Sequence, residues 1–256
     1  MSEVSTRYVY FFEGEYLDED DMPQTFIQDE LANYLVNILT WFFRFEDYIV
    51  RGNINVYRKG HYKERVAPDV MIIKNLGVSR ERLRKYKSYP IDPPKFPPPT
   101  VAIEIISEAT APIDILPENK PTRYGELGIK EYFAFDPEEG KGEVKLRGWR
   151  YIDGLRTELQ TDGRGWLWSE ELGCWLVPDE MMLQFYDRHN NRILSKGDAE
   201  ELARLEAERE IERERLARAE AEFRAEQERQ AREELERTVA ELRAKLAEKK
   251  LNKYTE

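Results

Sequence analysis

Two short apolar runs, each carrying a single acid, limit what this chain can fold into more than any other feature. The first is RVAPDVMIIK, with Asp69 between Pro68 and the run 70–73. The second is TVAIEIIS, with Glu104 inside it. Compact β-branched runs bounded by polar residues or proline read as buried strands. Such a strand carries an acid only where the acid is paired, hydrogen-bonded or bound to a cation. Strand alternation puts Glu104 on the face opposite Ile103 and Ile105, together with Ala102 and Ile106. Two acids on neighbouring strands can share one divalent ion. Plainer readings stand beside this one: a turn-forming Asp after Pro68, and a structural ion pair between Glu104 and an arginine.

The rest of the chain supplies the frame. Residues 7–12 (RYVYFF) read as a strand leading into an acidic turn, EGEYLDEDDMP. From 26 to 45 the apolar residues Ile27, Leu31, Leu35, Ile38, Leu39 and Phe42 recur at helical spacing, with Pro23 and Thr25 at plausible start positions. Residues 47–59 read as a half-buried strand in which Asn53 and Asn55 alternate with Ile54 and Val56. Residues 77–100 read as a basic, then proline-rich connection. Residues 117–129 predict a helix or turn-helix ending near Gly128. EYFAFDP predicts a strand, and the stretches EVKLRGWRYIDG and 166–177 predict a β-meander. After Gly197 the composition switches to Glu, Arg, Ala and Leu without Pro or Gly, which predicts a long helix. This gives a globular domain over 1–195 and a charged helical tail over 196–256. In the tail, Leu235, Val239, Leu242 and Leu246 step by four, three and four, the spacing of a coiled-coil seam. Leu216, Ala219 and Phe223 give a second short stretch, and Gln227 and Gln230 interrupt the phase between them. A homodimer through this helix is the expectation, with a solvated helix held by i,i+4 Glu–Arg pairs as the alternative.

Charge and cysteine usage narrow the chemistry. The net charge of −11 repels polyanions on average, yet residues 58–95 hold eleven Lys or Arg against four Asp or Glu. Arg58, Lys59, Lys63 and Arg65 in this stretch are candidate DNA contacts, and a solvated loop surface is the competing reading. Cys174 stands alone, so no internal disulfide can form. His61 and His189 match no zinc spacing. A metal here would have oxygen ligands, which suits Mg²⁺ or Mn²⁺. The opening residues lack the charge and apolar core of a signal peptide, and no apolar run approaches the roughly 20 residues needed to span a bilayer. The expected location is therefore the cytoplasm, with no membrane contact.

Asp114, Lys120 and Tyr124 follow the second acidic strand. Lys120 and Tyr124 are four apart and share a helix face. A lysine beside two metal-binding carboxylates can orient a water or offset charge on a phosphate, although most lysines are simply exposed. The order RGNINVY, RVAPDVMII, VAIEIIS, Asp114-x5-Lys120-x3-Tyr124 and GIKEYFAFDP resembles the Uma-two family of restriction endonucleases, within the PD-(D/E)XK nuclease superfamily. The resemblance covers roughly residues 7–190. It implies an α/β, restriction-endonuclease-like fold: a central mixed sheet flanked by helices, to which the long C-terminal helix is added. It implies a metal site from Asp69, Glu104 and the backbone carbonyl of Ile105, with Asp69, Glu104 and Lys120 catalytic. It also suggests an acid from the N-terminal region, Glu15 first and Glu13 second. Two positions depart from the wider pattern. Ile106 stands where the superfamily has its lysine, so Lys120 takes that part from the next helix. Gln28 stands where close relatives often have a histidine, and Gln can hydrogen-bond but cannot act as a base.

The function expected is metal-dependent hydrolysis of DNA phosphodiesters by an endonuclease. A different class competes with it: a catalytically silent nuclease-fold module that binds nucleic acid or protein and assembles through its tail. A third reading is a scaffold whose function lies in the tail.

Overall fold

The computed structural model describes residues 9–12, 15–18, 26–107, 110–137 and 145–253. It divides into two compact units, Met1–Gly197 and Asp198–Glu256. The first is built on a six-stranded mixed sheet. Its strands are β3 (Tyr48–Arg51), β5 (Val70–Lys74), β7 (Val101–Ile105), β8 (Glu131–Phe135), β9 (Leu146–Ile152) and β10 (Leu155–Glu158), in the order β10-β9-β8-β7-β5-β3. Only β7 and β8 run parallel. A parallel pair needs a crossover, here α3 (Ala111–Ile115) and α4 (Lys120–Leu127). Pro112 and Pro121 sit in the first turns of these helices, where the missing N–H costs nothing. Gly128 ends α4 in the left-handed conformation at φ 88°, the expected role of a glycine there.

The alternation along β7 sorts two cores. Val101, Ile103 and Ile105 pack with Leu31, Leu35, Ile38 and Leu39 of α1 (Phe26–Phe42). Ala102 and Ile106 pack on the other side with Tyr124, Leu127, Tyr132 and Trp149. A separate antiparallel sheet of β11 (Leu167–Ser169), β12 (Cys174–Asp179) and β13 (Met182–Tyr186) closes the first core through Leu167, Cys174, Leu176, Leu183 and Phe185.

Several local expectations are corrected. Part of the acidic turn is a strand, β2 (Glu15–Asp18), forming a hairpin with β1 (Val9–Phe12). The strand expected over 47–59 is broken: Asn53 takes a left-handed φ of 51°, and β4 (Val56–Arg58) leaves the main sheet to pair in parallel with β6 (Tyr89–Ile91). The basic connection therefore contains a strand, and it also contains the helical turn α2 (Arg80–Leu83), whose N-terminus Ser79 caps. The expected meander divides between the main sheet and the small one, because Trp149 and the β11–β13 residues bury into different cores. The first helix stops at Phe42, short of 45. Pro23 and Thr25 lie outside the described residues.

The second unit is helical: α5 (Lys196–Lys253) runs on from the end of the first. Arg–Glu pairs line it, among them Arg218–Glu222 at 2.9 Å and Arg232–Glu236 at 3.1 Å. Leu235, Val239 and Leu242 are exposed on the single chain. Among the described residues no helix is long and apolar enough to cross a membrane.

Candidate active site

Asp69 and Glu104 meet because β5 and β7 run antiparallel in a register that pairs Val70 with Ile103. The next positions outward are the two acids. The Ile105 N–H donates to Asp69 Oδ2 at 2.8 Å, and the Asp69 N–H donates to Glu104 Oε2 at 3.3 Å. Both side chains are nearly removed from solvent, Asp69 at 6% and Glu104 at 2% exposure. Close approach of the chains here depends on Gly52. A Cβ at that position would lie 2.7 Å from the Asp69 carbonyl oxygen.

Helix α4 supplies the counter-charge. Lys120 Nζ lies 3.1 Å from Glu104 Oε1 and 2.9 Å from Asp114 Oδ1. The Asp114 oxygen receives charge from Lys120 rather than a well-aligned hydrogen bond. One turn on, the Tyr124 hydroxyl donates to Glu104 Oε1, so the i,i+4 face expected from sequence points at the acid. Tyr132 on β8 donates to the Asp114 carbonyl at 2.7 Å and stacks on Trp149. Sequence reasoning missed Tyr132, although strand alternation already put it on the Ala134 face. From α1, Gln28 Nε2 donates to the Ile105 carbonyl at 2.7 Å. Gln28 thus reaches the site and grips the backbone atom expected to face a metal. A carbonyl oxygen has a second lone pair for another partner.

Burial pushes the Asp69 carboxyl well above its ordinary range; the charge of Glu104 pushes the same way, with Lys120 opposing. Burial also raises Asp114, to about 6, against the pull of Lys120. Tyr124 and Tyr132 are raised chiefly by burial, so both stay protonated donors. A site that holds two carboxylates against each other, beside a carbonyl, suits an oxygen-preferring divalent ion. Among the described residues no group of three or more His, Cys, Asp or Glu side chains converges as a ready-made metal cage. Glu15 lies in β2, whose partner strand β1 runs against α3. The Glu15 side chain, and all of Glu13, lie outside what is described.

The four DNA-contact candidates lie on β4 and in the segment that follows it. Arg58 donates to the Glu126 carbonyl, and Lys59 pairs with Asp92 at 2.7 Å. Arg65 lies over the Tyr62 ring, and Lys63 is exposed.

Residues 5–176 match the Uma2 family, described as "Putative restriction endonuclease". The chain belongs to the Uma2 family. Membership supports a nuclease, an enzyme acting on nucleic acid, and restriction-endonuclease-like families generally use divalent metals. A crystal structure of a "putative nuclease belonging to DUF820" from Anabaena variabilis is similar at 12% identity, covering 64% of this chain and 82% of that one, with a TM-score of 0.39. No curated protein matches.

Proposed function

We propose that this Uma2 protein is a metal-dependent DNA endonuclease whose centre is Asp69, Glu104 and Lys120. The observation that carries the reading is the buried Lys120 ammonium, held at 3.1 Å from Glu104 and 2.9 Å from Asp114 beside a second acid, Asp69. Asp69, Glu104 and the Ile105 carbonyl would hold Mg²⁺ or Mn²⁺, with Glu15 a further candidate ligand. Such an ion, when bound, supplies Lewis-acid charge to a phosphodiester and lowers the pKa of a water. Lys120 offsets negative charge growing on the phosphate. Asp114 holds Lys120 in place, and the Tyr124 hydroxyl fixes the Glu104 carboxylate. Gln28 orients the Ile105 carbonyl and takes no proton at neutral pH. Arg58, Lys59, Lys63 and Arg65 would follow the DNA backbone without reading sequence. A second copy of the chain would bury Leu235, Val239 and Leu242 of α5, giving a dimer.

A silent binding module is the second reading. The burial of the acid pair and the glutamine at position 28 favour it. Cleavage of plasmid DNA with Mg²⁺ or Mn²⁺ decides between them. Wild type should nick or linearise the plasmid, and Glu104→Gln should lose at least about 100-fold in rate. Folded wild-type protein that leaves the plasmid intact would overturn the endonuclease in favour of the module.

A further inference from the structure

One strand over from β5, at the β3 edge of the sheet, arginines gather that no carboxylate answers. Arg51 ends β3 opposite Met71, and Met71 stands opposite Ala102. Asp69 and Glu104 lie two residues from Met71 and Ala102 respectively. Arg51 is therefore displaced from the acid pair by about 7 Å along the strands and about 5 Å or more across them. Arg80 and Arg84, four apart at α2, share one side of that turn. A cleft of about 200 Å³ opens there, lined by Arg51 and Arg84 together with the buried Met71 and Tyr89. Arg51 and Arg80 line a smaller cleft beside it.

Arg51 and Arg80 are anchored but not neutralised. Arg51 Nη1 donates to the Val50 carbonyl at 2.7 Å. Arg80 Nη2 donates to the Tyr48 and Glu46 carbonyls at 2.8 and 3.2 Å. These acceptors carry no net charge, and each guanidinium has five N–H donors. Among the described residues, Arg51, Arg80 and Arg84 form no ion pair with Asp or Glu. Burial, and then the charges of Arg80 and Arg84, hold the Arg51 guanidinium below its ordinary value. An anion relieves that repulsion, and the planar guanidinium fork matches phosphate oxygens.

We propose that Arg51, Arg80 and Arg84 form a phosphate-binding subsite that seats a backbone phosphate of a nucleic acid beside the Asp69–Glu104 pair. The identity of the polymer rests on the nuclease reading. The subsite itself concerns binding, and is tested as binding. It adds a positioning function: a phosphate held here sets the strand's register against the acids.

The test is a salt titration of a short fluorescein-labelled DNA duplex against the full-length protein in EDTA. Arg84→Gln is the lead variant, because its side chain supports no backbone carbonyl. Its affinity should fall severalfold, and the slope of log K against log salt should flatten by about 0.9, the loss of one phosphate contact. Arg51→Gln should act in the same direction. Arg84→Lys should restore the slope with part of the affinity. Lys87→Gln removes the same charge from an exposed residue that lines neither cleft, and should change both quantities much less. The subsite is overturned if Arg84→Gln and Arg51→Gln both bind as wild type does, if Lys87→Gln loses as much as they do, or if wild type fails to bind the duplex. Arg-dependent binding without plasmid cleavage would instead overturn the endonuclease and leave the subsite standing.

Discussion

At the scale of single residues, the buried acids of the sheet show how differently a carboxylate can be used. Glu131 is fully buried, and the protein answers it completely: Arg150 at 2.8 Å, the Ser169 hydroxyl, and the N–H groups of Glu170 and Glu171. Asp69 and Glu104 are instead pressed against each other, and one lysine, Lys120, is paired to both Glu104 and Asp114. The first arrangement fastens a turn to a strand. The second crowds carboxylates together, which a bound cation would relieve. The consequence can be measured through pH. Asp69 and Asp114 have folded values raised above those of the unfolded chain. The native state therefore holds protons that the unfolded state has already released, and metal-free stability falls as pH rises from the ordinary carboxylate range through about 6. Asp69→Asn removes one of the repelling charges while keeping the shape. At neutral pH without metal it should melt about 2–4 °C higher, the equivalent of about 1 kcal/mol in a unit of this size, and it should not cleave. A lower melting temperature with cleavage intact would mean that Asp69 is a structural residue and the pair is misassigned.

At the scale of elements, the site is an agreement between β3, β5, β7 and α4. The crossover from β7 to β8 delivers Lys120 in the first turn of α4 and Tyr124 one turn later, both onto Glu104. On the other flank, β3 is brought against the start of β5 where the Asn53 N–H donates to the Pro68 carbonyl at 3.1 Å. Gly52 sits at that seam, 2.7 Å from the Asp69 carbonyl oxygen by its missing Cβ, with Val36 on its other side at 3.3 Å. Neither neighbour is the far end of a flexible chain. Gly52→Ala should therefore cost about 1–3 kcal/mol by overpacking, and should lower cleavage by moving Asp69. Thermal melting and plasmid nicking check the two effects. Full activity with unchanged melting would show that the seam yields without disturbing the acid.

At the scale of the whole molecule, both cores and every described site residue fall within Met1–Gly197. The α5 helix is held along its length by its own Arg–Glu pairs and exposes Leu235, Val239 and Leu242. Removal of residues 198–256 should leave the melting of the core and its cleavage of plasmid DNA within about twofold. It should convert a dimer, read by sedimentation, to a monomer. Loss of all cleavage on truncation, with the core still folded, would make the tail part of the catalytic unit; a monomeric full-length chain would remove the dimer.

The sequence by itself determined the strands around Asp69 and Glu104, the two faces of β7, the α4 pairing of Lys120 with Tyr124, and the extent of the long helix. Each of these is a matter of local period: two residues per repeat in a strand, 3.6 in a helix. Gln28 and the Ile105 carbonyl were legible through family resemblance alone, and their mutual hydrogen bond was not. Tertiary structure decided that bond, the departure of β4 from the main sheet to join β6, and the division of the expected meander. It also brought Arg51 beside Arg80 and Arg84. Those outcomes depend on which segment is neighbour to which across the fold, 33 residues apart for Val56 and Tyr89 and 77 for Gln28 and Ile105, and such pairing is chosen by the packing of the whole core rather than by any local repeat.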